Sequence, residues 1–483
     1  MAAPSWLEPL PDAAQQRAID RWAIEQLGTP SATLMERAGT GLARVVAERV
    51  PEGRIAVLAG KGNNGGDGRV AARVLRDRGR EVELIDVVGA EPGLGHRLSG
   101  VTGVVDALLG TGFSGTPRDP VAGAIAAINA AGEDGATVVA CDVPSGVDAS
   151  SGEVLAAAVH ADHTVTFHAA KPGLWISPGK ACAGEVTIVD IGIPARDSPV
   201  ALGTGLVTSG VLWEVPRRGA GSNKFTSGHV LIVAGSARYT GAPAMVAMSA
   251  ARAGAGYVTV AVPPAAVPIL QTKLLEEMVT DHDGALELLE RADCVVIGAG
   301  LGRGDAVAGL VRRLCAEGDA PTVLDADALN ALAGDLAALR GRPGPTVLTP
   351  HAGELARLLE TDSAEIAAHR LAGARRAAEL AGAVVVLKGD DTIIAHPDGR
   401  IGVSPGGVPA LATAGTGDVL GGVIGAYLAK GMDVFGAACA GVYAHLRAGA
   451  LAAAEIGAEG VIASDVIAKL PRTLRAEDLE GAG

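Results

Sequence analysis

The stretch Gly60-Lys61-Gly62-Asn63-Asn64-Gly65-Gly66-Asp67-Gly68 carries the first recognisable chemistry in the chain. It follows an apolar run, Ile55 to Ala59, with the character of a buried parallel strand, and precedes a helix-like segment, Arg69 to Arg78. A glycine-rich strand-to-helix turn lets backbone amides approach an anion. Asn and Asp within it add side-chain oxygens that can hold a cation or a hydroxyl. Gly60, Gly62 and Gly65 fit G-x-G-x-x-G, and Asp86 ends the next strand, so the dinucleotide fingerprint is met. The Walker pattern is not met, because no Gly-Lys-Ser/Thr follows. The plain alternative is a tight turn with left-handed glycines and an Asx-turn.

Two further polar clusters stand at expected strand ends. Asp106-Ala-Leu-Leu-Gly110-Thr-Gly-Phe-Ser-Gly-Thr116 is again glycine-rich, and Asp142-Val-Pro-Ser145-Gly-Val-Asp148 follows Val138 to Cys141. In an open α/β sheet, ligands bind beyond the carboxyl ends of the strands. Three such loops converging would give Asn64, Asp106 and Ser145 as an oxygen set for a metal ion. With so few formal charges, the set suits a monovalent ion. Asp142 would then be an acid/base beside the ligand. Taken singly, each Asp is equally well a cap or turn residue.

The second half has its own chemistry. Ala414-Gly-Thr-Gly-Asp418-Val-Leu-Gly-Gly422 would place the amides of Gly415, Thr416 and Gly417 at a helix N-terminus, a site for a phosphoryl group in transfer. Asp418, directly after that anion hole, could take the proton of a substrate hydroxyl. The structural alternative is an N-cap before Val419. Thr349-Pro-His351-Ala-Gly-Glu354, Gly300-Leu-Gly302, Asp325-Ala-Asp327-Ala-Leu-Asn330 and Lys388-Gly-Asp-Asp-Thr392 each end a strand candidate. The lysine and amides of the last could meet nucleotide phosphate. His351 reads equally as a helix N-terminal hydrogen bonder. No second His or Cys stands at ligand spacing from it, which argues against zinc.

These residues need α/β layers to position them. At 483 residues two domains or more are expected. Helices at 11–27 and 33–49 precede strand candidates Ile55–Ala59, Glu81–Val88, Gly103–Leu108, Thr137–Cys141, His163–Phe167 and Glu185–Val189, with helices between most of them: a parallel sheet covered on both faces. The pattern stops near 192–223, a Pro/Gly/Ser/Arg stretch expected as a linker. It restarts at His229–Val233 and continues through Tyr257–Val262, Cys294–Ile297, Thr322–Leu324, Thr346–Leu348 and Val384–Leu387. Thr392–His396 and Arg400–Val403 then form a hairpin about a Pro-Asp-Gly turn. The expected fold class is α/β: two three-layer α/β/α domains at 1–205 and 224–483, joined by 206–223.

Composition bounds the partners. The net charge of −14 argues against nucleic acid, though not against small anions. Five scattered cysteines (Cys141, Cys182, Cys294, Cys315, Cys439) point to reduced thiols and a cytoplasmic protein. The acidic N-terminus shows no signal peptide. Val419 to Tyr443 is apolar but broken by Lys430 and Asp433, hence core helix and no membrane span. A homo-oligomer is expected.

Leu34-Met-Glu-Arg-Ala-Gly39, the glycine loop, the Asp106 and Asp142 motifs, Lys171-Pro-Gly-Leu174 and Asp190-Ile-Gly-Ile-Pro194 resemble the YjeF N-terminal domain over about 10–205. That family is Rossmann-like and epimerises the R and S hydrates of NADH and NADPH. The resemblance implies that Asn63, Asn64, Gly65, Gly66, Asp67, Gly110, Thr111, Gly112, Phe113, Ser114, Gly115, Thr116 and Asp142 contact the hydrated nucleotide. It also implies that Asn64, Asp106 and Ser145 bind potassium, and that Asp142 is catalytic.

Tyr239-Thr-Gly-Ala-Pro243, Arg252-Ala-Gly-Ala-Gly256, the His351 motif, Lys388-Gly and Gly-Thr-Gly-Asp418 resemble the YjeF C-terminal domain, of the ribokinase-like superfamily, over about 220–475. Its members dehydrate the S hydrate, driven by ADP in bacterial enzymes or ATP in others; magnesium is expected for neutralising the nucleotide's charge. The implied hydrate contacts are Ala244, Gly302, His351 and the base Asp418. The implied ADP/AMP contacts are Lys388, Gly389, Asp390, Asp391, Thr392, Gly415, Thr416 and Gly417. Two positions depart from the family pattern: Ala299, where Pro is usual, and Asn223, where His is frequent. Two other readings share parts of this set. One is a small-molecule kinase with a Rossmann-like sensor domain; the other is a non-enzymatic scaffold, as in a decapping enhancer that carries the same N-terminal domain.

Overall fold

The computed structural model describes residues 4–89, 93–194 and 199–475. The chain forms two compact units: Pro9–Gly205, and Pro4–Glu8 together with the chain from Leu206 onward. The division therefore departs from 1–205 and 224–483 in two places. Near the N-terminus, β1 (Leu7–Pro9) heads the strand order of the second sheet, and Trp6 and Leu7 lie in the second unit's apolar core. Nor is 206–223 a free linker. Val207, Val211, Leu212 and Val215 are buried in that same core, through a strand at Thr204–Val207 and a 3-10 turn at Ser209–Trp213. Prolines mark turns, but the valines and leucines between them decide burial.

In the first unit the strands are β2 (Ile55–Ala59), β3 (Val82–Asp86), β4 (Gly103–Ala107), β5 (Thr137–Cys141), β6 (His163–Phe167) and β7 (Glu185–Val189). They form one parallel sheet in the order β3-β2-β4-β5-β6-β7. Every residue of β2 and β4 is buried, as expected for strands covered on both faces. The chain leaves β2 for β3 on one side and returns to β4 on the other. That reversal opens a crevice above the carboxyl ends of β2 and β4.

The helix after β2 begins at Asn63, not Arg69, and runs to Asp77. The glycines that suggest a long turn instead let this helix lie against the sheet. A Cβ on Gly65 would stand 1.9 Å from the Gly60 carbonyl oxygen. The turn itself is only Gly60 to Gly62.

The second unit holds β8 (Thr204–Val207), β9 (His229–Val233), β10 (Tyr257–Ala261), β11 (Met278–Thr280), β12 (Cys294–Ile297), β13 (Thr322–Leu324), β14 (Thr346–Leu348), β15 (Val384–Leu387), β16 (Ile393–Ala395) and β17 (Ile401–Val403). Its sheet runs β1-β8-β17-β16-β15-β14-β13-β12-β9-β10-β11. From β11 to β15 the pairing is parallel, and β16 and β17 add the expected antiparallel hairpin. Here the reversal falls between β9 and β12. The edge strands β1 and β11, and β8 beside β1, escape the sequence pattern because they are only three or four residues long. One helix among the described residues, Val434–Ile456, is long and apolar enough to cross a membrane; 61% of its most apolar stretch is buried within the protein. The helix before it stops at Ala429, so Lys430 and Asp433 lie between the two.

Candidate functional sites

The first site is a cavity of about 720 Å³ above β2 and β4. Of the residues read from the sequence, Asn63, Asn64, Asp67, Gly110, Thr111, Gly112, Phe113 and Asp142 line it. Gly65, Gly66, Ser114, Gly115 and Thr116 are not among the lining residues. Gly66 packs on Met35. Lys171, Asp20, Gln16 and Arg118 line the cavity as well, and sequence reasoning assigns them no site role. Lys171 is legible in principle: an ionised Asp in an apolar strand end requires a cation. Asp20 sits on an ordinary amphipathic helix, Ala13–Glu25, and carries no local signal.

Asp142 follows β5 with φ +66, a left-handed conformation uncommon outside glycine. Its carboxylate accepts Lys171 Nζ at 2.7 Å, Thr166 Oγ1 at 3.2 Å, Thr111 N at 3.0 Å and the Thr111 hydroxyl. Burial alone would raise its pKa. Lys171 and these donors outweigh burial and hold it below the ordinary carboxylate value. Lys171 is itself 1% exposed and also donates to Thr166 Oγ1 and the Phe167 carbonyl. Asp67 lies in the opposite condition. It is 9% exposed, and burial, then Asp142, then Asp20 push its carboxyl up to about 8.

The three loops converge on the Leu109 peptide. Asn64 Nδ2 donates to its carbonyl at 2.8 Å, and Ser145 Oγ accepts its amide at 2.9 Å. Ser145 donates through its amide (2.8 Å) and hydroxyl (2.6 Å) to Asp106. Asp106 is fully buried, and burial pushes it up to about 6 against those hydrogen bonds. Asn64 Oδ1 is buried and, among the described residues, has no hydrogen-bond partner. An orphaned oxygen near a buried carboxylate suits one large monovalent cation.

In the second unit, Gly415 (φ +91) caps the helix Thr416–Ala429, so Asp418 sits inside its first turn and is not the N-cap. Burial, then Asp325, push Asp418 up to about 7, with Lys388 opposing. Lys388 Nζ pairs with Asp325 Oδ1 at 2.9 Å and lies 3.8 Å from Glu354. It stands beside Gly417: a Cβ on that glycine would lie 3.6 Å from Nζ. Asp325 and Glu354 belong to motifs whose spacing assigns them no role, and the fold uses them to fix the lysine.

His351 is the N-cap of Ala352–Leu358; its Nδ1 accepts from Gly353 N (3.0 Å) and Glu354 N (3.3 Å). Its side chain is about half exposed. The Gly302 amide is held by Asp327 Oδ2 at 2.8 Å, and Ala244 is buried on the helix Gly241–Arg252. The loop from Lys388 to Thr392 is a locked turn. Thr392 Oγ1 donates to the Gly389 carbonyl, Asp390 accepts the Gly407 amide, and Asp391 is in a buried ion pair with Arg370 at 2.9 Å. The carboxylates of that loop are engaged in holding its shape. An apolar recess of about 370 Å³ lies in the same unit, lined by Val408, Tyr443, Leu446, Arg447, Ala450 and Leu451.

Each unit thus has a parallel sheet, extended in the second by an antiparallel hairpin, with acidic residues at the carboxyl ends of its strands, the arrangement of a two-site α/β enzyme. The description "NAD(P)H-hydrate dehydratase" belongs to the family model that matches residues 230–472, and "YjeF-related protein N-terminus" to the one that matches 31–94 and 85–173. A bifunctional NAD(P)H-hydrate repair enzyme of Moorella thermoacetica is 38% identical, over 96% of each chain. The Escherichia coli protein of the same description is 36% identical over 95% of this chain and 93% of its own. An ADP/ATP-dependent NAD(P)H-hydrate dehydratase of Bacillus subtilis, crystallised with ATP and magnesium, superposes with a TM-score of 0.52 at 32% identity. That likeness covers 56% of this chain and 96% of that one. The chain belongs to the family of bifunctional NAD(P)H-hydrate repair enzymes.

Proposed function

We propose that the first unit interconverts the R and S epimers of NADH and NADPH hydrates, and that the second returns the S form to NAD(P)H with ADP, releasing AMP and phosphate. The observation that carries the first assignment is the cavity itself, which brings Asn63, Asp67, Thr111 and Asp142 onto one wall system beside the Asn64–Asp106–Ser145 cluster. For that cluster we propose potassium: Asn64, Asp106 and Ser145 would hold it, and it would neutralise the buried Asp106 charge. Asn64→Ala would then raise the potassium concentration needed for half-maximal epimerisation by about tenfold, the scale of one contact to a charged group.

In the second unit, Asp418 takes the proton of the C6 hydroxyl, and the oxygen attacks the terminal phosphoryl group lying on the Gly415–Gly417 amides. As the new P–O bond forms, the bond from that phosphorus to the AMP oxygen breaks and AMP leaves. The C6–O bond then breaks with loss of a proton from C5 to water, phosphate departs and the C5=C6 double bond returns. Phosphorylation matters because hydroxide is a poor leaving group and phosphate a good one. Lys388 balances charge beside the anion hole. The apolar recess at Val408, Tyr443 and Leu446 suits the adenine ring. Among the described residues no group of three or more His, Cys, Asp or Glu side chains is placed to hold a metal. Magnesium would bind mainly through nucleotide phosphates.

A direct assay separates the readings. Purified chain with both hydrates, ADP or ATP, magnesium and potassium should regenerate reduced-nicotinamide absorbance and release free phosphate. Accumulation of a stable phosphorylated product would establish the kinase reading instead. Hydrates left unchanged under all these conditions would sink the proposal and favour a scaffold.

A further inference from the structure

The first cavity holds carboxyl groups in opposite environments. Asp142 accepts four donors and has Lys171 against it. Asp67, on the helix Asn63–Asp77, has no such set: among the described residues no side chain ion-pairs with it, and the one cation acting on it, Lys171, is committed to Asp142. The groups that act electrostatically on Asp67 are Asp142 after β5, Asp20 on the helix Ala13–Glu25, and Lys171 after β6. Two of those three are acids, and Asp67 itself is 9% exposed. A carboxyl so placed keeps its proton near neutrality, for reasons of burial and like charge. Cys141 also borders this group, but burial raises its thiol far above its ordinary value, so it stays neutral. Two titratable groups in one cavity whose surroundings push their proton affinities apart form an acid and a base.

We propose that Asp67 is the general acid of epimerisation, sharing a single proton with Asp142 across the hydrated ring. Asp67 gives its proton to the C6 oxygen as the C6–O bond breaks. The N1 lone pair forms N1=C6, and water is lost. A water then adds to the opposite face of C6 and surrenders a proton to Asp142, while the N1=C6 electron pair returns to nitrogen. The reverse conversion runs with the proton starting on Asp142. A proton passing back through the cavity water restores the resting state, so nothing is consumed. Lys171 sets where the proton rests, because it stabilises the Asp142 anion. This rests on the first unit being the epimerase.

The test uses the full-length chain and purified hydrates. Wild-type kcat should fall tenfold per pH unit above about 8 in both directions, as the shared proton is lost. Asp67→Asn, which keeps the shape and cannot donate a proton, should lower kcat by about 100-fold or more with KM within a few-fold. Asp20→Asn, which removes a negative neighbour, should move the alkaline limb to lower pH. In ¹⁸O-water the epimer formed should carry ¹⁸O at C6. Asp67→Asn retaining more than a tenth of kcat, or product without label, would overturn the proposal. Should Asp67→Asn lose its cooperative melting transition, the wild-type limb and its shift in Asp20→Asn decide: an unmoved limb refutes Asp67. A wild-type chain that epimerises nothing refutes the epimerase reading itself, which is a different outcome.

Discussion

Each of the two sites sets an aspartate near a lysine, and the lysine decides what the aspartate can do. In the first, Lys171 lies 2.7 Å from Asp142 and fixes it as an anion. In the second, Lys388 is drawn off by Asp325 at 2.9 Å, with Glu354 close by, and Asp418 is pushed up to about 7. The residue types match, yet one carboxylate rests ionised and the other is poised to exchange a proton near neutrality. A base that must collect a hydroxyl proton works best with its pKa near the working pH. A carboxylate that must stay charged beside a reacting ring is best paired. The difference comes from which acid the lysine touches, not from which residues are present.

The sharpest way to break this comparison is Asp418→Asn. Dehydration should fall by about 10³-fold while epimerisation is unchanged, measured by absorbance recovery and by epimer separation on the same preparation. Loss of both activities in a folded variant would refute independent sites. Lys171→Met comes next. It leaves Asp142 buried without its cation, so the first unit should lose about 3–5 kcal/mol of stability in a denaturant titration, with the dehydratase rate retained. An unaffected first unit would mean that the pair is not the organising charge interaction.

A smaller effect is expected from Asp325→Asn. Asp418 must be ionised to accept a proton, so wild-type dehydration should rise with pH through about 7. Removing the Asp325 charge lowers the Asp418 pKa and should move that limb to lower pH. A limb that stays in place would show that Asp325 does not set it. The smallest change is predicted at Asp86, which the dinucleotide fingerprint would assign to a ribose. Arg69 engages it at 2.6 Å, and half its side chain is exposed. Asp86→Ala should cost less than about 1 kcal/mol and leave the epimerase KM nearly unchanged. A large rise in KM would restore the fingerprint reading.

Much of this is open to reading along the chain. The strands at Ile55–Ala59, Thr137–Cys141, Cys294–Ile297 and Val384–Leu387 stand where the apolar runs place them, because strands buried on both faces are continuous apolar segments. Positions at strand ends group Asn64, Asp106 and Ser145; Asn64 and Ser145 meet at the Leu109 peptide, and Ser145 bonds Asp106. The start of the helix at Asn63 is not legible, since glycine is a weak helix former and only packing against the sheet overrides it. Likewise Trp6, Leu7 and Val211 give no sign of joining the second unit's core, because partners far along the chain leave no local trace.

The sequence alone therefore determined the layers, the loops that carry the chemistry, and the acids in those loops. These follow from local apolar pattern and from glycine, proline and aspartate acting over a few residues. Only the tertiary structure decided protonation: that Lys171 sits against Asp142, that Asp20 and Asp142 act on a buried Asp67, and that Lys388 is paired with Asp325 beside Asp418. The physical reason is that a carboxyl's charge depends on desolvation and on neighbours within a few ångströms. Folding brings those neighbours from strands, helices and turns that lie far apart along the chain.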